Sequence, residues 1–168
     1  KKAGITDMIV IIGYGSERLK EALKGAKVIV QKELLGSGDA VKQARPVLKR
    51  YDGDVLIVYG DTPLIGYQTI KDLIAKHKDS GAGATILTAT LKDPTGYGRI
   101  VRGDDGEIAR IVEEEKANLY EEVIEEINVG AYCFKKEDLF DALSEVVPDN
   151  KKREYFLTDT IGILHRKR

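Results

Sequence analysis

This sequence has few cysteines and histidines and almost no net charge, and each of these features excludes a class of function. A single cysteine among 168 residues excludes an intrachain disulfide and favours a reducing, cytoplasmic setting. Two histidines leave no Ser-His-Asp or Cys-His arrangement and no zinc-ligand spacing. Lys and Arg total 27 against 28 Asp and Glu, so we expect no nucleic-acid partner. No apolar run approaches the roughly 20 residues of a membrane span, so we expect no membrane partner either.

The residues at both ends of the chain have patterns typical of positions inside a domain. Residues Lys1 to Gly4 resemble the tail of a helix that Gly4 closes, and a helix tail needs a helix before it. At the other end, Thr158 and Asp159 open a helix in which the chain stops. We therefore expect residues 1–168 to be one partial domain, truncated at both ends.

Apolar β-branched runs alternate with segments of helical period along the chain. Strands are predicted at residues 8–12, 27–30, 55–59, 85–91, 99–102, 108–113 and 127–134. Helices are predicted at residues 17–23, from the Gly36–Gly38 turn to about residue 50, at 70–77 and at 137–143. Pro46 should kink the second of these helices or shift its start. The pattern predicts a Rossmann-like three-layer α/β domain, with a mostly parallel mixed sheet and a small antiparallel β insert.

Loops that follow strands carry the candidate functional residues, because ligands bind outside the carboxyl ends of such sheets. The side-chain amide of Gln31 offers a hydrogen-bond donor and an acceptor, which suits the edge of a nucleotide base. Gly36 and Ser37 lie where the next helix begins, and the N-terminus of a helix favours an anion. Gly-Ser-Gly before a helix also serves purely structural turns. Asp61 follows the most apolar strand. Its carboxylate could bind Mg²⁺, or it could cap the turn made by Thr62 and Pro63.

Three further positions could contact a sugar. Gly98 lies in the glycine-bracketed loop around Tyr97, whose backbone could bind a hydroxyl or simply form a tight turn. Glu113 ends a strand, and Asn128 interrupts an apolar one. A buried Asn needs a partner, which a sugar or a backbone carbonyl could supply.

Together these loops resemble the sugar-1-phosphate nucleotidyltransferase family, and within it the uridylyltransferase domain of bacterial N-acetylglucosamine-1-phosphate uridyltransferases, which are bifunctional enzymes. The resemblance covers essentially the whole chain. Its most specific segments are QKELLGSGDA at 31–40, YGDTPL at 59–64, DPTGYGRI at 93–100, EINVG at 126–130 and EYFLTD at 154–159.

The resemblance implies a reaction and a role for each site residue. A nucleotidyl group would pass from UTP to N-acetylglucosamine 1-phosphate, giving UDP-N-acetylglucosamine, a peptidoglycan precursor, and pyrophosphate. The partners would then be a nucleoside triphosphate, a sugar 1-phosphate and other copies of the chain, since the full-length family enzymes are trimers. The implied roles are uracil recognition by Gln31, Gly36 and Ser37, Mg²⁺ binding and catalysis by Asp61, and amino-sugar binding by Gly98, Glu113 and Asn128.

The sequence also departs from the family pattern. The glycine-rich signature on the family's first strand and loop is absent, as is its C-terminal β-helix domain, so we expect this fragment to be inactive alone. The missing strand would lie in the middle of the sheet, leaving both neighbours with an unpaired edge. Leu34 stands where the family has a second polar base-reading residue. This leaves open a thymidylyl- or guanylyltransferase acting on a hexose 1-phosphate, and a non-catalytic regulatory relative.

Overall fold

The computed structural model describes residues 3–5, 7–13, 19, 22–148 and 153–168. The strands are β1 (Ile9–Gly13), β2 (Lys27–Gln31), β3 (Asp54–Val58), β4 (Ala84–Thr90), β5 (Arg99–Arg102), β6 (Ile108–Val112) and β7 (Glu126–Lys135). The helices are α1 (Ser37–Lys42), α2 (Tyr67–Ser80), α3 (Leu119–Glu122), α4 (Lys136–Glu145) and α5 (Asp159–Arg166), with a 3₁₀ turn over Glu114–Lys116. The helix predicted for residues 17–23 falls largely outside the described residues.

Helix α1 is much shorter than the sequence predicted. It ends at Lys42 and is followed by turns as far as residue 50. Pro46 explains this end, because a proline ring clashes with the carbonyl four residues before it, which here belongs to Lys42.

Strand β7 is the centre of the larger sheet. It pairs antiparallel with β4 along one side, and on its other side with β3 over its second half and with β5 near its start. β5 and β6 form the antiparallel insert that the sequence predicted. β1 and β2 form a separate parallel pair.

The sheet has fewer parallel pairs than the sequence suggested. β3 and β4 run in the same direction, but β7 lies between them and is antiparallel to both. The late strand therefore separates two strands that would otherwise be parallel neighbours. The mixed character of the α/β fold is confirmed, and its parallel pairing is confined to β1 and β2 among the described residues.

Helices cover both faces of the larger sheet. Tyr132 and Phe134 of β7 pack with residues of α1, α4 and α5, whereas Ala131 and Cys133 pack with Leu73 of α2. Successive residues of a strand point to opposite faces, so these contacts confirm three layers. Cys133 is buried as predicted, and burial raises the pKa of its thiol to about 11, which leaves it unreactive.

β1 and β3 are among the strands that have one free edge in the described part of the chain, as are β2, β4 and β6. β1 pairs with β2 alone, and β3 pairs with β7 alone. A largely apolar cleft of about 460 Å³ lies beside β3, lined in part by Leu56, Val58 and Ile65. The smaller and larger sheets are therefore not joined by strand pairing in the described part of the chain.

Gly130 of β7 makes room for the ring of Tyr59. Its backbone is left-handed, with φ of 81°, and a β-carbon there would lie 2.7 Å from Tyr59 Cδ2. Gly106, in the turn of the β5–β6 hairpin, has nearly the same φ of 79° but open space around it. Substituting each glycine in turn therefore distinguishes the cost of backbone strain from the cost of a steric clash.

We expect Gly130→Ala to lower the free energy of unfolding by about 3 kcal/mol, since it adds a steric clash to left-handed strain. Gly106→Ala should lower it by only about 1 kcal/mol, from strain alone. Urea unfolding of both variants beside the parent chain measures the difference. Equal losses would show that Tyr59 moves aside without cost and that the close contact is not a constraint.

Candidate active site

Two strands meet end to end on one side of β7, and their loops face each other. Where β3 ends, the Tyr59 N–H donates to the Gly130 carbonyl at 2.9 Å. Where β5 begins, the Gly98 carbonyl accepts from the Asn128 N–H at 2.8 Å. Because Asn128 and Gly130 are near neighbours on β7, the loop containing Asp61 and the loop before β5 converge at one place in the sheet.

The three residues predicted to bind a sugar lie together at this place. Glu113 Oε1 accepts a hydrogen bond from the Thr158 hydroxyl at 2.6 Å. A β-carbon at Gly98 would lie 3.4 Å from Glu113 Oε2, so the glycine keeps that side of the carboxylate uncrowded. Asn128 Oδ1 accepts from the Gly130 N–H at 3.1 Å, which fixes the orientation of the amide.

A pocket of about 290 Å³ opens beside Glu113. It is lined by Gly96, Glu113, Glu114, Glu115, Lys116, Glu154 and Phe156. The Lys116 ammonium lies 4.6 Å from the centre of the Phe156 ring. With four glutamates in its lining, the pocket suits hydrogen-bond donors such as hydroxyl groups better than phosphate oxygens.

The three residues predicted to read a base are also brought together. Gln31 Nε2 donates to the Gly36 carbonyl at 3.2 Å. Ser37 Oγ accepts from the Leu157 N–H at 3.0 Å. Gly36 has φ of 91°, and a β-carbon there would lie 2.6 Å from the Tyr155 carbonyl oxygen. Packing against residues 155–157 therefore explains this glycine, whether or not a base also contacts it.

Tyr59 lies between the residues predicted to read a base and those predicted to bind a sugar. Its hydroxyl lies next to the side chains of Ser37 and Tyr132. Burial raises the pKa of Tyr59, and the negative charges of Glu113 and Asp61 act in the same direction. Tyr59 is therefore a neutral hydroxyl near neutral pH, in contact with Ser37 and within electrostatic range of Glu113 and Asp61.

The Tyr132 hydroxyl is a buried polar group with unusual surroundings. Within the described residues it has no hydrogen-bond partner of good geometry, although the side chains of Tyr59 and Asn128 lie near it. Burial raises the pKa of Tyr132, so it too is neutral. This hydroxyl places an additional polar atom next to the side chain of Asn128.

Asp61 is exposed and is not the residue that closes the turn after β3. The Thr62 hydroxyl does that by donating to the Tyr59 carbonyl at 3.0 Å. The described residues contain no group of three or more His, Cys, Asp or Glu that could hold a metal ion. Mg²⁺ commonly uses one or two carboxylates and completes its shell with water and phosphate oxygens. Asp61 is therefore suited to give one carboxylate to an ion shared with a phosphate-bearing substrate.

An ion pair between a buried arginine and a partly exposed glutamate holds the loop before β5, and the sequence did not single it out. Arg99 is 2% exposed and donates through Nη1 to Glu114 Oε2 at 2.6 Å. The same Nη1 also donates to the Tyr97 carbonyl. Glu114 Oε2 accepts in addition from the Gly96 N–H at 3.1 Å. One carboxylate thus ties both ends of the glycine-containing turn that presents Gly98.

The full length of the chain, residues 1–168, matches the family model of nucleotidyl transferases. The chain belongs to this family. Among the relatives of this nucleotidyl transferase, the bifunctional proteins GlmU of Limosilactobacillus reuteri and Acetivibrio thermocellus are 46% and 48% identical to it. Each alignment covers 99% of the chain but only 37% and 36% of those relatives, so the chain spans little more than a third of their length.

Solved structures of UDP-glucose pyrophosphorylase share the fold of this nucleotidyl transferase. The complex with UDP-glucose gives a TM-score of 0.75 and the apo form 0.73. Identity is 19% and 17%, and the matches cover 99% and 98% of this chain and 72% of each of theirs. At this level of identity the similarity concerns the fold alone. No helix in the described residues is long and apolar enough to cross a membrane.

Sequence reasoning missed the residues that hold the predicted ones in place. Thr158 was placed at the start of a helix and in the EYFLTD segment but was given no role in the site, yet it is 1% exposed and bonded to Glu113. Arg99 was placed in a strand and in the DPTGYGRI segment without a role of its own, although a charge next to an apolar strand needs a partner if it is buried. Tyr59 gave no such signal, because its role depends on Gly130 of a strand far along the chain.

We expect Glu114→Gln to loosen the turn at residues 96–98, because Arg99 would lose its charged acceptor. Hydrogen exchange of the Gly96 amide should become about tenfold faster, the scale of one charge-assisted hydrogen bond. Arg99 lowers the pKa of Glu114 below its usual value of 4.5. In the parent chain the contact should therefore be intact above that value and be lost as the pH falls through the lowered pKa.

Glu107→Gln provides the matched control. Glu107 also pairs with an arginine, Arg168, at 3.3 Å, but both side chains are more than half exposed. Its loss should leave the Gly96 amide unchanged. If both variants altered that amide equally, a general charge effect would replace the specific contact as the explanation.

Proposed function

We propose that this domain transfers a uridylyl group from UTP to N-acetylglucosamine 1-phosphate, releasing pyrophosphate. The observation that carries the proposal is the convergence around Tyr59 of a base-reading group, a sugar-binding group and an exposed carboxylate. Membership of the nucleotidyl transferase family supports the class of reaction. The GlmU relatives and the sequence motifs support the particular substrates.

The chemistry needs no side-chain nucleophile. A phosphate oxygen of the sugar phosphate attacks the α-phosphorus of UTP, the bond from that phosphorus to the α–β bridging oxygen breaks, and pyrophosphate leaves with the electron pair. The protein contributes position and charge neutralisation. In this proposal Gln31, Gly36 and Ser37 hold the base.

The sugar and the metal are assigned to the remaining residues. Glu113 and Asn128 would hold the sugar hydroxyl and acetamido groups, with Gly98 leaving space beside them. Asp61 would hold Mg²⁺, which supplies positive charge to the phosphate oxygens when bound. The negatively charged Glu113 pocket favours the neutral, donor-rich sugar over a phosphate on that side.

The free edges of β1 and β3 support a proposal about the longer protein. We infer that a strand from outside these 168 residues occupies the space between them and joins the two sheets, as the family's first strand would. Several backbone groups along each edge would then gain partners. The complete protein is proposed to be a cytoplasmic homo-oligomer, as the family resemblance implies.

The proposal predicts activity that depends on both the strand and Asp61. Pyrophosphate release from UTP, N-acetylglucosamine 1-phosphate and Mg²⁺ should be near background for this chain. It should appear when the chain is extended upstream by the family's first strand and loop. Asp61→Asn in the extended protein should lower kcat at least about 100-fold, since a metal-binding carboxylate is lost.

Asp72→Asn is the matched control for Asp61. Asp72 is an exposed carboxylate on α2 that bonds Gln68 at 2.8 Å, and its replacement should leave the rate unchanged. If the extended protein released no pyrophosphate with any nucleotide, the non-catalytic alternative would replace the proposed function. If Asp61→Asn kept full activity, the metal assignment would fail while the reaction stood.

A second candidate is thymidylyl transfer, and Leu34 favours it. This side chain is 65% exposed beside the Gln31 loop, and a β-carbon at Gly13 would lie 2.9 Å from its Cδ2. An exposed apolar side chain at this position suits the methyl group of thymine. Competition between UTP and dTTP in the same assay separates the two candidates.

A further inference from the structure

The Gln31 side chain is held in one orientation by two acceptors. It is 7% exposed, and its Nε2 donates to Asp39 Oδ2 at 2.8 Å and to the Gly36 carbonyl at 3.2 Å. A carboxylate and a carbonyl can only accept hydrogen bonds. The amide nitrogen must therefore face them, because the opposite orientation would set the amide oxygen against two other oxygens. No hydrogen bond to the Gln31 amide oxygen is found among the described residues.

Asp39 is itself fixed in position. It lies in the first turn of α1, where the helix dipole favours a negative charge. Its carboxylate also accepts from Gln43 Nε2, at 3.3 Å and 3.5 Å to the two oxygens. The Gln31 contact is shorter than either. Asp39 thus connects the end of β2 to the body of the helix that follows the glycine turn.

We propose that Asp39 is a positioning residue that presents only the oxygen of the Gln31 amide to a bound base. This rests on the proposed function, in which Gln31 reads the base. An acceptor at that place pairs with a base that carries a ring N–H, the class that includes uracil and thymine. In the same pose cytosine turns an unprotonated ring nitrogen toward the Gln31 oxygen, and the two lone pairs repel.

The selection against cytosine depends on the amide being unable to turn over. Replacing the Asp39 carboxylate by an amide supplies a donor as well as an acceptor beside Gln31. Gln31 could then present its NH₂ group to the base, with only the Gly36 carbonyl opposing the change. A buried polar group left without its partner is what makes such hydrogen-bond discrimination strong.

Asp39→Asn tests this in the uridylyltransfer assay with the extended protein. The ratio of kcat/KM for UTP to that for CTP should fall by about tenfold, the scale of one charge-assisted hydrogen bond. The change should come mainly from the KM values, because the amide acts on binding of the base and not on the phosphates. Asp39→Glu retains an acceptor and should restore most of the ratio.

Gln43→Met is the matched control, since it removes the other side chain bonded to Asp39 and leaves Gln31 in place. It should keep the UTP preference. An unchanged ratio in Asp39→Asn, with uridylyl transfer intact, would overturn the inference alone. If the extended protein without a substitution transfers no nucleotide at all, the proposed function falls and base selection with it. Hydrogen exchange of the Gln31 side-chain amide then reports whether Asp39 holds it, and this separates the two failures.

Discussion

The candidate site depends on the close packing of Tyr59 against Gly130. A left-handed glycine in the middle of β7 lets an aromatic ring lie against the backbone, where any other residue would place a carbon 2.7 Å from the ring. The ring of Tyr59 also lies 5.8 Å from that of Tyr132, which is fully buried in the core. The end of β3 is thereby anchored to the buried core, and the loop carrying Asp61 begins at a defined point.

The residues assigned to ligands are held by a second set of polar contacts. Gln31 is fixed by Asp39, Glu113 by Thr158, and the turn at Gly98 by the Arg99–Glu114 pair. These bonds are shorter than 2.9 Å, and each includes a carboxylate, so they belong to the stronger class of hydrogen bonds. A site arranged in this way loses little entropy when a ligand binds, because its groups are already oriented.

Local patterns in the sequence predicted most of the fold. β5 was predicted at its observed bounds, and β3 was displaced by one residue, because β-branched runs between turn residues are strong local signals. The order in which β7 joins the sheet could not be predicted, since it depends on partners far away in the chain. α1 was predicted too long because its apolar period continues past Pro46 while the α-helix itself stops.

The candidate site shows the same difference between local patterns, which could be predicted, and contacts between distant segments, which could not. The predicted base-reading and sugar-binding residues were found by motif, and the structure brings each set together. Their supporting residues Asp39 and Thr158 lie in the same motifs, but their contacts could not be predicted because each contact is made with another segment of the chain. Gly36 shows most clearly what a motif alone cannot predict. Its motif suggested close approach to a ligand, whereas the contact seen in the structure is with the backbone of Tyr155.

The contact between Ser37 and Leu157 joins residues 120 positions apart. During synthesis on the ribosome, the glycine turn at residues 36–38 emerges long before the segment that clamps it. The turn cannot reach its final shape until residues 155–157 have been made and docked beside it, and closing so long a loop is slow. In the proposed function, the ability to bind nucleotide would therefore arise late in synthesis, because a chain that ends before this segment lacks the contacts that shape the loop at residues 36–38.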